Sequence, residues 1–520
     1  MSKVTYATVY SQTGDEQQSA AFEQALGALR QVESPAAHGH YVGGISDLTG
    51  TVFERTDPVD ARRVISRGHE ADGPVVERAV AAARAALPAW RQVPYLERVE
   101  VLRRVVPAIE QRRVELAALV SLETGKTRAD ALAEVDECVA IVELFAAQAR
   151  EADGYAVSLV APTDEARAAV VLRPYGVFGV IAPFNFPLAI SFAMVAAALV
   201  AGNTVVYKPS ALTPASGQAF YELLAEIGLP AGALNAVQGG GTTGGLLADA
   251  AIDGLAFTGS ADVGLDLVDR LSRPPYVRPV IAEMGGKNPA IITANAGPLD
   301  VAARAVARSA FGMSGQKCNA CSRVVVVDEV YDEFVAQLAE VTASLNVGDP
   351  IEREAFTGPV VSETSVERFR NAVASAREDG RVVVGGGTGD GPGHHVELTV
   401  VDGLPSGHEL TREELFLPIL SVVRVSDLDA ALAEANAIRY GLAAGIFTQD
   451  DAERERFLDE IEAGIVFVNN PGGATTGVWP GSQTMSGWKG SGSAGKGGFG
   501  PWYLQQFSRE QSRTVFGAGE

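Results

Sequence analysis

Cysteine is scarce in this chain, with three in 520 residues, at positions 138, 318 and 321. That excludes a disulfide-stapled scaffold and makes a reducing cytoplasm the expected compartment. Positive charge is also short: 42 Lys and Arg stand against 64 Asp and Glu, a net charge of −22. Such a surface repels phosphate backbones and anionic headgroups, so neither nucleic acid nor membrane is an expected partner. No apolar run reaches the roughly 18 to 20 residues that a membrane-spanning helix needs. The nearest, Leu188 to Ala201, contains Ser191 and reads as a buried helix. The N-terminal run MSKVTYATVYSQTGDEQQ has no apolar stretch or cleavage pattern, and does not read as a signal peptide. Cys318 and Cys321 form a C-x-x-C, but no second pair and no nearby histidine completes a ligand set, so no metal is expected.

What is present is globular: 47% hydrophobic and 20% charged residues, with no extended low-complexity tract. The length predicts roughly two to four domains. Residues 75 to 150 carry helical periodicity, and residues 154 to 175 break it with β-branched alternation that reads as an extended ribbon. From Gly176 strands and helices alternate. VFGVIAP, NTVVYKP, LNAVQG and GLAFTGS read as strands, separated by helices such as PLAISFAMVAAALVAG and ASGQAFYELLAEIG. The alternation predicts an α/β fold with a doubly wound parallel sheet and ligands at the C-terminal strand ends. A second α/β region begins after Glu283, and the run YLQQFSREQSRTVF near the C-terminus reads as a strand.

Cys318 follows an apolar helix pattern and a Gly-rich stretch, and the acidic segment Glu283-Met-Gly-Gly-Lys-Asn288 lies upstream. Together these suggest a thiolate nucleophile and its carboxylate base, with Lys317 expected to favour the thiolate. The plainer alternative is a buried small hydrophobe, the reading given to Cys138 on its helical stretch. Gly239-Gly-Gly-Thr-Thr-Gly244 satisfies G-x-G-x-x-G after a strand, although a flexible turn explains it equally well. Phe257-Thr-Gly-Ser-Ala-Asp-Val-Gly264 is a better phosphate cradle, because a buried strand ends there in small residues and a helix starts. Lys208 closes a buried strand and reads as a ribose contact rather than a solvated lysine. Asn185, between aromatics and prolines in Pro183-Phe-Asn-Phe-Pro187, reads either as an oxyanion-holding amide or as a turn cap.

Taken in order, PFNFP at 183 to 187, VVYKPS at 205 to 210, FTGSADVG at 257 to 264, EMGGKNP at 283 to 289, GQKCNACSR at 315 to 323 and EELFLPIL at 413 to 420 resemble the aldehyde dehydrogenase superfamily. RPVIAEMGGKNP and SGQKCNACSR resemble in particular the branch that includes 1-pyrroline-5-carboxylate (glutamate semialdehyde) dehydrogenases. The resemblance implies a cofactor domain over residues 1 to 153 and 176 to 283, a catalytic domain over 284 to 486, and a β-ribbon oligomerisation element over 154 to 175 and 487 to 520. A homodimer or larger homo-oligomer is expected. Cys318 would attack a small-molecule aldehyde, Asn185 and the Cys318 N–H would hold the oxyanion, and Glu283 would activate water against the thioester. NAD or NADP would meet Lys208 at the adenosine ribose, Gly259 and Ser260 at the pyrophosphate, and Glu414 with Phe416 at the nicotinamide ribose. Ile181, Ala182, Pro183, Phe184, Ser210, Gly239, Gly244, Phe257 and Val263 complete the expected cofactor set.

Several positions depart from the family pattern. Asn319 stands where a Ser commonly follows the nucleophile and helps hold a substrate carboxylate. Thr484-Met-Ser-Gly487 replaces a P-F-G-G turn, Leu417 replaces a Gly, and Ala211 replaces an acid that binds the 2′-hydroxyl of NAD, which opens the site to NADP. The expected substrate walls are Asn319, Phe186, Phe192, Phe311, Trp479 and the loop near 470 to 486. Glu283 favours hydrolysis over acyl transfer to coenzyme A, and the intact Cys318, Glu283 and Asn185 favour an enzyme over a retired binding protein. A regulatory Cys318–Cys321 disulfide is a further reading.

Overall fold

A computed structural model describes residues 16–517 of the chain. Five parallel strands, Val177–Ile181, Thr204–Lys208, Leu234–Ala236, Gly254–Gly259 and Val280–Met284, form the heart of a seven-stranded sheet. The first two are buried at every residue. Their unbroken apolar reading follows from helices covering both faces. In space Val177–Ile181 lies between Thr204–Lys208 and Gly254–Gly259, so the chain winds outward first to one side and then to the other. The crevice opened by that reversal lies at the C-terminal ends of Val177–Ile181 and Gly254–Gly259, where a doubly wound sheet takes its ligand. His40–Val42 and Ile45–Asp47 extend the far edge antiparallel.

The helical stretch before this sheet is five helices between Gly73 and Glu151. Asp72 accepts from the N–H of Val75 and Thr127 from that of Asp130, and Gly125, at φ +76°, ends the helix Arg113–Thr124. Each feature closes a helix end that the backbone leaves unpaired. The helix Ala189–Val200 is apolar on nearly every side and is buried, as its sequence predicts.

Only the three residues Gly285, Gly286 and Lys287 separate the last strand of the first sheet from Asn288–Ile292, a central strand of the second. This second sheet also has seven strands, all parallel except the edge strand Arg381–Val384. Glu283 therefore ends one sheet just before the chain enters the other.

The ribbon is a three-stranded antiparallel sheet. Ser508–Phe516 pairs with Ala166–Pro174 along its full length, from Ser508 opposite Pro174 to Phe516 opposite Ala166, and Val157–Leu159 lies on the other side. The expected boundary at residue 487 is too early. Phe499, Tyr503, Leu504 and Phe507 are buried in the first sheet's core, so the segment before Ser508 belongs to that core and only the final strand projects. Residues 1–15, on which the signal-peptide reading mostly falls, lie outside the described ones. Among the described residues no helix is long and apolar enough to cross a membrane, and no cluster of His, Cys, Asp or Glu could hold a metal ion.

Candidate active site

Cys318 sits in the loop between the helix Leu299–Phe311 and the strand Cys321–Val327. Three consecutive residues of that loop, Met313, Ser314 and Gly315, have φ of +53°, +53° and +70°. Two of them carry side chains, and such a turn persists only when its surroundings hold it. Thr357 Oγ1 accepts from the Ser314 N–H at 2.7 Å, Ser314 Oγ donates to the Gly358 carbonyl, and Gln316 Oε1 accepts from the Val361 N–H at 3.0 Å. A Cβ on Gly315 would lie 2.3 Å from the Leu417 carbonyl oxygen, so the turn needs glycine for space as well as for φ. Beyond it, Asn288 Nδ2 donates to the carbonyls of Cys318 and Ala320, both at 2.8 Å, and Asn288 Oδ1 accepts from the Ala443 N–H. Thr475 Oγ1 donates to the Asn319 carbonyl at 2.7 Å. The Cys318 loop is thus fixed from both sides.

Lys317 does not act as its sequence position suggests. Its amine pairs with Asp130 at 3.2 Å, and burial together with the carboxylates of Glu414 and Glu283 pushes the Cys318 thiol up to about 12. Burial here favours the neutral thiol over the thiolate. Cys321 faces the core of the second sheet while Cys318 packs against Leu442, Ala443 and Ile465, and both thiols are free. Cys138 is a core cysteine, as expected.

Glu283 lines the same pocket as Cys318. Burial pushes its carboxyl up to about 7, opposed by a hydrogen bond accepted from the Gly498 N–H. Asn185 is buried, and its Nδ2 donates to the Gln316 carbonyl at 3.0 Å, two residues before the nucleophile. An amide nitrogen carries two N–H groups, so one remains for a second acceptor. Asn288, Gln316 and Gly498 have supporting parts that the sequence reading did not assign. Asn288 had a signal: a polar residue that opens the otherwise apolar strand Asn288–Ile292. Gly498 had none.

Cys318 stands where two cavities meet. The outer cleft, about 730 Å³, is lined by Pro183, Phe184 and Asn185, by Ser210, by Thr258 to Asp262, and by Glu413, Glu414 and Phe416, with Cys318 at its inner end. It opens at the strand reversal of the first sheet. Ser260 precedes the helix Ala261–Leu271 without capping it, which leaves that helix's first N–H groups available. Phe184 and Phe416 meet edge to face at 5.8 Å. Glu414 folds onto the Gly285-Gly286 turn, accepts from the Gly286 N–H at 3.1 Å, and is pushed up to about 7 by burial. A Cβ at Gly285 would strike its carboxylate at 1.9 Å.

Other expected cofactor residues stand behind this wall. Ile181, Ala182 and Phe257 are core residues, and Val263 is half exposed on the helix that starts at Ala261. Lys208 is buried, and its Nζ donates to the carbonyls of Pro209 and Gly239 at 2.7 and 3.0 Å. Burial lowers its amine to about 8. Gly239 and Gly244 lie against Lys208 and outside the cleft's lining; the glycine-rich run opens a different helix, Gly241–Asp249.

The inner pocket, about 100 Å³, is walled by Phe186, Trp479, Met485, Phe499 and Tyr503, with Asn319, Glu137, Glu283 and Lys317 among its polar groups. Phe186, Trp479 and Asn319 stand where expected. Phe311 and Phe192 do not: Phe311 is fully buried in the second sheet's core, and Phe192 packs edge to face on Phe220 at 4.8 Å. Both point from their helices into the layer beneath.

The profile of the aldehyde dehydrogenase family matches residues 45–512, and the chain belongs to that family. It is 34% identical over 505 residues to a 1-pyrroline-5-carboxylate dehydrogenase of Geobacillus kaustophilus, covering 95% of this chain and 96% of that one. It is 37% identical over 448 residues to an alpha-ketoglutarate semialdehyde dehydrogenase of Haloferax volcanii, 84% of this chain and 91% of that one. The crystal structure of 1-pyrroline-5-carboxylate dehydrogenase from Thermus with bound NAD superposes with a TM-score of 0.92 at 29% identity, over 96% of this chain and 97% of that one.

Proposed function

We propose that this chain oxidises a small aldehyde bearing a carboxylate, such as glutamate semialdehyde, to the acid with NAD or NADP, through a covalent Cys318 intermediate hydrolysed by water. The observation that carries this reading is the position of Cys318, which lines both the outer cleft and the inner pocket, with Asn185 in the first and Glu283 in the second. A nicotinamide nucleotide bound in the outer cleft supplies the hydride acceptor. The available N–H groups at Ala261 and the Glu414 carboxylate, both on the lining of that cleft, fit its phosphates and ribose hydroxyls.

Cys318 Sγ gives its proton to solvent water as it bonds to the aldehyde carbon, and the resulting oxyanion is held by the second Asn185 N–H and the Cys318 backbone N–H. Oxidation leaves a thioester on Cys318. Glu283 takes a proton from water, the hydroxide attacks the thioester carbon, and the acid departs as the C–S bond breaks. A carboxyl lifted to about 7 suits that base.

The preference for a carboxylated substrate is supported by the relatives' names, both of which describe carboxylate-bearing compounds. The Asn319 side-chain amide, which makes no hydrogen bond among the described residues, is available to such a group. Ala211 places no carboxylate opposite a 2′-phosphate, which supports use of NADP beside NAD. The unpaired edges of the Ser508–Phe516 ribbon, with Val515 and Phe516 exposed, support assembly into a homodimer or larger oligomer. Three free thiols suit a reducing compartment such as the cytoplasm.

The test is a panel of aliphatic, aromatic and carboxylated aldehydes assayed with NAD and NADP in parallel. Glutamate semialdehyde is expected to give the highest kcat/KM. Neutral aldehydes of equal length turned over equally well would sink the substrate assignment.

A further inference from the structure

Behind the inner pocket, on the side away from the nucleotide cleft, lies a vestibule of about 470 Å³ lined by Arg128, Arg308, Lys317 and Arg353 among others. Asp130, Lys317 and Thr476 line both the vestibule and the inner pocket, so the Lys317–Asp130 ion pair is the partition between them. Most charges here are already engaged. Arg128 pairs with Glu23 at 3.5 Å, Arg353 with Glu16 and Glu23 at 2.7 Å each, and the Glu352 carboxylate folds over the turn at Gly348. Arg308 is the exception: exposed, and with no side-chain hydrogen bond or ion pair among the described residues.

Its placement is specific. Arg308 is in the last turn of the helix Leu299–Phe311, and Gly312 follows four residues later on the same side. A Cβ on Gly312 would lie 3.6 Å from Lys317 Nζ. The Arg308 backbone thus stands about one helical turn, ~5.4 Å of rise, before the position that faces the Lys317 amine. In a protein of net charge −22 a carboxylate meets a mostly repulsive surface, so the carboxylate end of a substrate is favoured by a local cation where it enters.

We propose that Arg308 is a specificity-determining residue that captures the substrate's carboxylate in this vestibule and hands it to the Lys317–Asp130 partition, so that carboxylated aldehydes enter by this mouth. The proposal rests on the reading of the substrate as a carboxylated aldehyde. A planar guanidinium with no partner is suited to bidentate carboxylate binding, and its exposure allows exchange with solvent.

The experiment compares wild type, Arg308→Gln and Arg308→Lys on glutamate semialdehyde and on pentanal, a neutral aldehyde of the same chain length. Arg308→Gln should raise KM for glutamate semialdehyde about tenfold with kcat little changed, and leave pentanal unaffected. Arg308→Lys should recover part of the loss. For glutarate semialdehyde, which lacks the α-ammonium and is a net anion, wild-type kcat/KM should fall with added salt, and that slope should flatten in Arg308→Gln. An equal KM rise for both aldehydes, or none for either, overturns the capture role alone if wild type still prefers the carboxylated aldehyde. A wild type indifferent between the two aldehydes overturns the substrate reading and the capture role together.

Discussion

The two cavities that meet at Cys318 are built in opposite ways. The outer cleft takes its walls mainly from short runs, Pro183 to Asn185 and Thr258 to Asp262 at strand ends and Glu413, Glu414 and Phe416 in the loop before the strand Ile419–Val425, and leaves about 730 Å³ open. The inner pocket leaves about 100 Å³ and draws on side chains scattered from Asp130 to Tyr503. A strand end in a doubly wound sheet fixes its backbone whatever the substrate, so the cleft belongs to the scaffold. The pocket belongs to whatever side chains reach it, and there the chain can vary its substrate without disturbing the sheet.

The largest expected effect strikes the point shared by both cavities. Cys318→Ala should remove turnover by on the order of 10⁴-fold or more; a variant that kept its steady-state rate would end the covalent mechanism and the meaning of the junction. Glu283→Gln confines the damage to the inner pocket. Steady-state rate should fall about 10² to 10⁴-fold while a first-turnover burst of reduced nucleotide survives, because only hydrolysis needs the base. The same carboxylate gives a pH signature. It acts ionised, and burial lifts it to about 7, so wild-type turnover should climb as pH rises through that value, and Glu283→Gln should lose this limb. On the cleft side, Asn185→Ala should cost about 10² to 10³-fold in kcat, as for a lost oxyanion donor, with the burst suppressed too. The smallest effect on catalysis separates wall from core. Phe186→Ala should shift KM among aldehydes with little loss of stability, whereas Phe311→Ala should lower unfolding free energy by about 3 to 5 kcal/mol and spare KM. Thermal melts and kinetics on the same preparations decide it.

This contrast also explains what the sequence disclosed. The parallel alternation from Gly176 onward, the small-residue turn at Gly259 and Ser260 that lines the outer cleft, and the meeting of Cys318 and Glu283 in one pocket were legible, because each depends on a local run or on a motif of rare residue types. Phe311 and Phe192 were misplaced because an aromatic on a helix announces burial without saying which layer it enters. Lys317 was misread for a related reason: adjacency in sequence placed its charge on the thiol, whereas the fold gives it to Asp130, nearly two hundred residues earlier in the chain. Gly239 and Gly244 satisfied a pattern whose physical context, the strand reversal, occurs at Gly259 instead. The segment from 487 to 507 was assigned with the final strand to the ribbon, whereas its later apolar residues, Phe499 to Phe507, lie in the first sheet's core.

Gly315 has a consequence for how this enzyme tolerates change. Its α-carbon rests against the Leu417 carbonyl, one residue beyond Phe416 and three beyond Glu414. The thiol's mount and the Glu414–Phe416 side of the cleft are therefore gauged against each other through a single missing methyl. Any heavier residue at 315 would act as a shim, altering the gap between nucleophile and cofactor wall without touching a reacting group. Errors there would read as poor catalysis in a protein whose every named catalytic residue is intact.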